Sequence, residues 1–328
     1  MTVFPENPAT PTARRGLAGL SPAGLGCAQL GNLYTAIDDT TAEATVAAAW
    51  DAGVRYFDTA PHYGLGLSER RLGAALRGRP RDSFVVSTKV GRLLEPSPAT
   101  AGSPDPAGFV VPATHRRVWD FSAEGVLRSL TESLDRLGLD RVDLVLIHDP
   151  EDHAKEALES AYPALHALRD EGVVRAVGVG SIRAEILDRF AAETDVDAVL
   201  VAGRYTLLEQ PALDAVIPAC RSTGVRIVAA AVFNSGLLST PRPGGRYEYG
   251  EAPPALLARA RRIADVCDRH GVALPEAALQ FPLREPAVRS VVVGGATPAH
   301  VRENARRMRA EIPEALWDDL AAKGLVRT

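Results

Sequence analysis

Leu144-Val-Leu-Ile147, followed at once by His148, is apolar at every position, so a strand made from it has no face to give to water. Such a strand belongs in a parallel sheet covered on both sides. Working outward, short runs of the same kind recur at about 24 to 28, 54 to 57, 84 to 88, 143 to 147, 173 to 179, 197 to 202, 225 to 231 and 288 to 293. Amphipathic helical patterns separate them, at 41 to 52, 67 to 77, 122 to 137, 155 to 171, 182 to 193, 209 to 222, 255 to 283 with a break near Pro275, and 298 to 309. Eight such units predict closure into an α/β (β/α)8 TIM barrel. The expected organisation is one domain over 16 to 328 behind a flexible segment 1 to 15. An open doubly wound sheet is the alternative, and it requires a G-x-G-x-x-G turn after its first strand. Gly24-Leu-Gly26-Cys-Ala-Gln29 and Gly64-Leu-Gly66-Leu-Ser-Glu69 put Gln or Glu in the third glycine's place and read as tight turns.

Composition narrows the function classes. With 46% hydrophobic and 24% charged residues, the 328-residue chain can bury a substantial core. A formal net charge of -4 with scattered Lys and Arg leaves no basic face for a phosphate backbone, which argues against nucleic acid. Cys27, Cys220 and Cys267 lie far apart with no Cys-x-x-Cys pair, which fits a reducing, cytoplasmic setting. Arg14-Arg15 is followed by no apolar signal core, and no run reaches the eighteen or so apolar residues of a membrane span, so neither export nor membrane insertion is expected. Oligomeric state is not readable.

The chemistry sits where the strand-like runs end. Asp58, Lys89 and His148 each follow such a run, the second, third and fourth in order, and Tyr63 lies five residues past Asp58. A barrel would set these side by side on its catalytic rim. A phenol titrates near ~10, and a neighbouring ammonium, here Lys89, is expected to lower that by roughly two units. Asp58 would keep Lys89 charged and placed, while His148 would orient a substrate oxygen. Such a set moves a proton on and off an alcohol or carbonyl oxygen, as reversible hydride transfer requires. Two segments break the strand-helix rhythm, Arg92 to Asp120 and Phe233 to Pro254, and loops of that length commonly act as lids or binding loops.

Gly53-Val-Arg-Tyr-Phe-Asp58-Thr-Ala-Pro-His-Tyr63-Gly-Leu-Gly-Leu-Ser-Glu69-Arg-Arg-Leu-Gly73, with Ser87-Thr-Lys89, Ile147-His148 and Val291-Val-Val-Gly-Gly-Ala-Thr-Pro-Ala-His-Val-Arg-Glu303-Asn304, resembles the aldo-keto reductases over about residues 17 to 310. The resemblance implies a barrel enzyme that binds NAD(P)H across its rim, with Tyr63 as general acid or base, Lys89 and Asp58 tuning it, and His148 orienting substrate. Val118 to Leu130, His148-Asp-Pro-Glu-Asp-His153 and Ala202 to Gln210 are similar to the branch of sugar dehydrogenases acting on L-fucose or D-threo-aldoses, with a pyridoxal dehydrogenase among its relatives. That implies oxidation of an aldose hemiacetal at C1 to the lactone, with Tyr63 as base. An NADPH-dependent aldehyde or ketone reductase, a pyridoxal dehydrogenase and a non-catalytic nicotinamide-binding regulator remain the alternatives.

Departures from the family pattern shape the cofactor expectation. Gly294-Gly295 stand where many members carry Lys-Ser for the adenosine 2′-phosphate, and His300 stands in place of Arg, which implies NAD over NADP. Arg302 or Arg306 could restore the lost charge. Gly180-Ser181 replace Ser-Asn at the carboxamide, leaving Ser181 to hydrogen-bond, and Ala230 replaces the stacking aromatic, leaving Phe233 as a substitute. Asn234-Ser235-Gly236 matches the pyrophosphate wrap or is a simple turn, and Glu303 and Asn304 either contact adenine or cover a helix face. His62, Trp119 and Arg204 are the candidates on the substrate side: His62 polarises substrate or shapes its loop, and Trp119 is a sugar-stacking wall or a lid anchor. His148, His153, Asp149, Glu151 and Asp152 cluster in sequence, but no further ligand motif joins them and no metal is expected.

Overall fold

A computed structural model describes residues 17, 20–244, 246–247 and 250–327, so the expected N-terminal segment 1 to 15 lies outside the described residues. Eight parallel strands close into a barrel: β1 (Ala23–Gly26), β2 (Tyr56–Asp58), β3 (Val85–Val90), β6 (Leu144–His148), β7 (Ala176–Ser181), β8 (Ala198–Ala202), β9 (Arg226–Ala230) and β12 (Val288–Gly294). Closure joins β12 to β1, from Ala23 opposite Val291 to Gly26 opposite Gly294. Helices follow the strands, most close to their expected spans, though the one expected at 209 to 222 begins only at Val216, after a short 3-10 turn at Pro211–Leu213.

Two apolar layers explain the closure. Tyr56, Leu144, Leu146, Ala198, Leu200, Val228 and Val292 fill the barrel, and Leu17 and Leu20 join that group. Their strand neighbours Phe57, Val145, Ile147, Val199 and Val291 face outward into the helix layer. The runs are apolar throughout because each strand is buried on both faces. Thr88 donates to Glu69 Oε1 at 2.7 Å and Arg136 reaches Glu69 Oε2 at 2.6 Å, so the fully buried Glu69 ties β3 to the helices Leu67–Leu76 and Ala123–Leu137.

Some local expectations need correction. The segment after β3 contains an antiparallel hairpin, β4 (Arg92–Pro96) and β5 (His115–Trp119), because only its middle is Pro- and Gly-rich. After β9, β10 (Arg246–Tyr247) pairs with β11 (Gly250–Glu251). The long helical stretch breaks at Gly271, φ +70°, and Pro275 sits in the first turn of the following helix, Leu274–Gln280. A helix at Glu314–Ala322, which the apolar pattern did not single out, buries Leu316, Trp317 and Leu320. No described helix is long and apolar enough to cross a membrane.

Candidate active site

The strand pleat builds the site. Side chains alternate between barrel interior and helix layer, so Asp58 shares the inward face of Tyr56, Lys89 that of Ser87, and His148 that of Leu144 and Leu146. These residues therefore belong to the strands themselves, one step inside the rim where the sequence had placed them, because β2, β3 and β6 stay paired further than the apolar runs extend. On the other five strands the last inward-facing positions are Gly26, Gly180, Ala202, Ala230 and Gly294. The barrel mouth is thus polar over three strands and floored by small residues over the rest.

The polar side is a connected network. Lys89 Nζ donates to Asp58 Oδ2 at 2.7 Å and to the Thr59 carbonyl at 2.9 Å. Ser87 Oγ donates to Asp58 Oδ1 at 2.7 Å and lies 2.9 Å from the Tyr56 hydroxyl. With both carboxylate oxygens engaged, Asp58 cannot swing away from the ammonium. Lys89 Nζ stands 4.8 Å from the Tyr63 ring centroid. Tyr63 is held by its backbone: Gly64, at φ +61°, packs so tightly on Gly31 that a Cβ there would come within 2.3 Å of the Gly31 carbonyl oxygen. The ring then meets His148 at 6.1 Å and Phe109 at 6.1 Å, centroid to centroid.

Burial dominates the electrostatics, which corrects the expected direction for Tyr63. Burial pushes the phenol up to about 12; the Lys89 charge pulls it down, but not enough to reverse the shift. Burial also works against the Lys89 ammonium, yet Asp58 and Tyr63 together hold its pKa above the ordinary value. His62 is driven down to about 2 by burial and then by Arg92, Arg117 and Lys89. His148 is lowered by burial and by the same Arg92 and Lys89, with His62 adding to it. Both imidazoles are therefore neutral at ordinary pH.

On the substrate side, His62 sits edge-on to Phe109 at 5.3 Å and to His148 at 5.7 Å, and its Nδ1 is buried with no protein partner. Arg117 grips Asp105 at 2.6 and 2.8 Å and donates to the His62 carbonyl at 2.9 Å, locking the long segment over that loop. Trp119 is 45% exposed at the end of β5, stacked on Phe121, with the Arg92 guanidinium 4.3 Å from its ring centroid. Arg204 donates to the Ile182 carbonyl at 2.8 Å and lies 3.4 Å from the Tyr247 hydroxyl, so it bridges the loops after β7 and β9.

Sequence reasoning passed over Arg92, Phe109, Arg117 and, as an organic-site residue, Asp149. The legible signal was position: Arg92 and Asp149 follow barrel strands within two residues. Of the residues considered for a metal, Asp149 pairs with Arg92, Glu151 with Ser181, and His153 stacks near Trp119 and Phe121.

The remaining mouth fits a dinucleotide. Asn234, Ser235 and Gly236 have φ of 46°, 58° and 99°, a left-handed turn in which the Asn234 and Gly236 amides donate to the Ala231 and Phe233 carbonyls at 2.9 and 3.0 Å. Asn234 Oδ1 and Gln29 Oε1 are buried without protein partners. A Cβ on Gly294 would lie 2.4 Å from that Gln29 oxygen, so the absent side chain leaves no vacant charged position. Ser181 donates to Glu151 and accepts from the Arg183 amide at 2.7 Å. Phe233 is half-buried against the outer layer with Arg307 5.8 Å from its ring, and the small Ala230 leaves the floor of the mouth open. Asn304 donates to the Gly294 carbonyl at 3.2 Å, and Gly295 packs under Val301 beside exposed His300. Arg306 is taken up by Glu303, at 2.8 Å, and Glu276, at 2.9 Å.

The chain resembles known proteins over nearly its whole length. The model of the Aldo/keto reductase family matches residues 22–324. A D-threo-aldose 1-dehydrogenase of Pseudomonas sp is 55% identical over 95% of this chain and 97% of its own. A pyridoxal 4-dehydrogenase of Microbacterium luteolum is 38% identical over 95% of this chain and 96% of its own. An aldo-keto reductase of Bacillus halodurans, solved in its holo form, shares the fold with a TM-score of 0.72 at 24% identity, covering 94% of this chain and 93% of its own.

Proposed function

Since the chain belongs to the aldo/keto reductase family and is an oxidoreductase using a nicotinamide cofactor, we propose that it oxidises an aldose hemiacetal at C1 to the lactone, with NAD preferred. The observation that carries the mechanism is Lys89 held between Asp58, at 2.7 Å, and the Tyr63 ring, at 4.8 Å, in the last inward layer of the barrel. The aldose substrate is supported by the 55% identity to a D-threo-aldose 1-dehydrogenase.

In this reading Tyr63 Oη takes the proton of the anomeric hydroxyl. Lys89 opposes the burial that raises the phenol, and Asp58 keeps the ammonium charged and stationary. Neutral His148 donates its ring N–H to the same substrate oxygen and sets its angle. The cofactor, when bound, supplies the carbon that accepts the hydride. Asn234, Ser235 and Gly236 would hold its pyrophosphate, Ser181 its carboxamide, and Glu303 and Asn304 its adenosine, over a floor of Gly180, Ala202 and Ala230. His62 and Trp119 flank the substrate, with Arg204 further out. NAD preference is supported by glycine at 294 and 295, by a histidine at 300, and by the engagement of Arg306 with two glutamates.

The pyridoxal 4-dehydrogenase relative favours a second reading, oxidation of a pyridoxal hemiacetal by the same residues. Production of NADH or NADPH measured across aldoses, pyridoxal and simple alcohols, with aldehyde and ketone reduction run in parallel, tests both. Aldose turnover at least about tenfold more efficient with NAD supports the proposal, as loss of a charge-assisted contact to a 2′-phosphate implies. Turnover of pyridoxal but no aldose selects the second reading, and carbonyl reduction alone selects an NADPH-dependent reductase. Equal efficiency with both cofactors overturns the NAD preference.

A further inference from the structure

Next to the proposed proton-transfer group stands a second polar pair that the mechanism leaves unused. Asp149 directly follows His148, and its φ of +43° is an uncommon backbone state for a residue with a side chain. That turn brings Asp149 Oδ2 to 3.5 Å from His148 Nε2. Arg92, two residues past the end of β3, forms an ion pair with the same carboxylate and lies with its guanidinium 4.3 Å from the Trp119 ring centroid. The two partners are unequally covered: the Arg92 side chain is 12% exposed and that of Asp149 30%. An ion pair serving only to brace two loops has no need of an accessible carboxylate or of a left-handed backbone. Local strain at a site residue points to a role for that geometry.

We propose that Asp149, fixed by Arg92, is the specificity-determining residue that accepts a hydrogen bond from the hydroxyl on the carbon next to the reacting one, so that the site selects 2-hydroxy aldoses. An ionised carboxylate is an acceptor only, which suits a hydroxyl donor and rejects a carbonyl or carboxylate there. The 3.5 Å between His148 Nε2 and Asp149 Oδ2 suits oxygen atoms on adjacent carbons: an oxygen seated on His148 brings its neighbour to Asp149. Trp119, on the far side of Arg92, then lies where the rest of a sugar ring would continue. Burial raises the Asp149 pKa to about 6, with Arg92 pulling the other way, so the carboxylate is largely ionised above neutrality. The inference rests on the aldose reading above.

The test compares kcat/KM for an aldose the enzyme turns over with kcat/KM for the same aldose lacking its C2 hydroxyl, in the native enzyme and in Asp149→Asn. Asn accepts a left-handed backbone readily, so the turn survives the substitution. The native enzyme is expected to prefer the 2-hydroxy sugar by about tenfold or more, the effect of a hydrogen bond to a charged acceptor, and the variant by less than about threefold, the loss falling on the 2-hydroxy sugar alone. Equal losses on both sugars would mean that Asp149 acts only through His148 or the fold, and would overturn the proposal. A native enzyme indifferent to the C2 hydroxyl overturns it without any variant. Turnover of no aldose removes the aldose reading and this inference with it, whereas aldose oxidation without C2 discrimination removes this inference alone.

Discussion

Lys89 Nζ and Asp58 Oδ2 lie 2.7 Å apart inside the barrel mouth, with only 2% and 5% of their side chains exposed. Bringing two charges out of water is costly, and the pair is tolerable because Ser87 and Thr59 complete its hydrogen bonds. Asp58→Ala leaves the ammonium buried without a counter-charge. The expected loss is about 3 kcal/mol of stability, read from urea unfolding, together with a loss of turnover.

Tyr63→Phe keeps the ring between His148 and Phe109 and removes only the proton-carrying oxygen. Turnover is expected to fall at least about a hundredfold, while cofactor binding, followed by nicotinamide fluorescence, is retained. Unchanged turnover would remove Tyr63 from the mechanism.

In the native enzyme the phenol is pushed up to about 12, so its deprotonated fraction grows with pH across the whole neutral range. The rate of alcohol oxidation is therefore expected to climb from pH 7 to 10 without a plateau. A profile that levels off near neutrality would mean that a group other than Tyr63 takes the proton.

His62 bears on the pH dependence of stability. Its folded pKa is about 2 against an ordinary value of 6.5, so between those values the unfolded chain holds a proton that the folded protein does not. Stability present above pH 6.5 is lost as pH falls, and His148, shifted in the same direction, adds to the loss. Asp149, raised to about 6, takes up a proton in the folded state and offsets part of the effect between its ordinary value of 3.8 and about 6. His62→Phe is expected to flatten the fall in urea midpoint between pH 6.5 and pH 4.5. An unchanged slope would show that His62 is not titrating.

His300 is exposed on the first turn of the helix Pro298–Arg307, where its amide is capped by Thr297 Oγ1 at 3.3 Å. His300→Arg adds a cation at that turn without disturbing packing. Efficiency with NADP is expected to rise about tenfold relative to NAD, measured by steady-state kinetics; no change would place the 2′-phosphate elsewhere.

The barrel was legible because burial on both faces writes itself into continuous apolar runs such as Leu144-Val-Leu-Ile147, and the eight strands fall close to their expected spans. Asp58, Lys89 and His148 were legible for a similar reason, since each stands at or just beyond the end of a run, and Tyr63 through the motif that continues from Asp58 into its loop. The hairpin of β4 and β5 was not, because Pro, Ala and Gly between its strands mask the pairing of Arg92 with Trp119. The packing of Phe233 was not legible either, because sequence order after β9 does not say which way a ring turns in a left-handed stretch that begins at Ala231, φ +53°.

The sequence by itself determined the eight strands and the candidate residues that end them, since a continuous apolar run and the polar residue that closes it are local properties. Tertiary structure alone decided the sign of the Tyr63 shift and the pairing of Arg92 with Asp149. Both depend on how deeply groups from separate loops are withdrawn from water and how closely they meet, and neither quantity is carried by residue order.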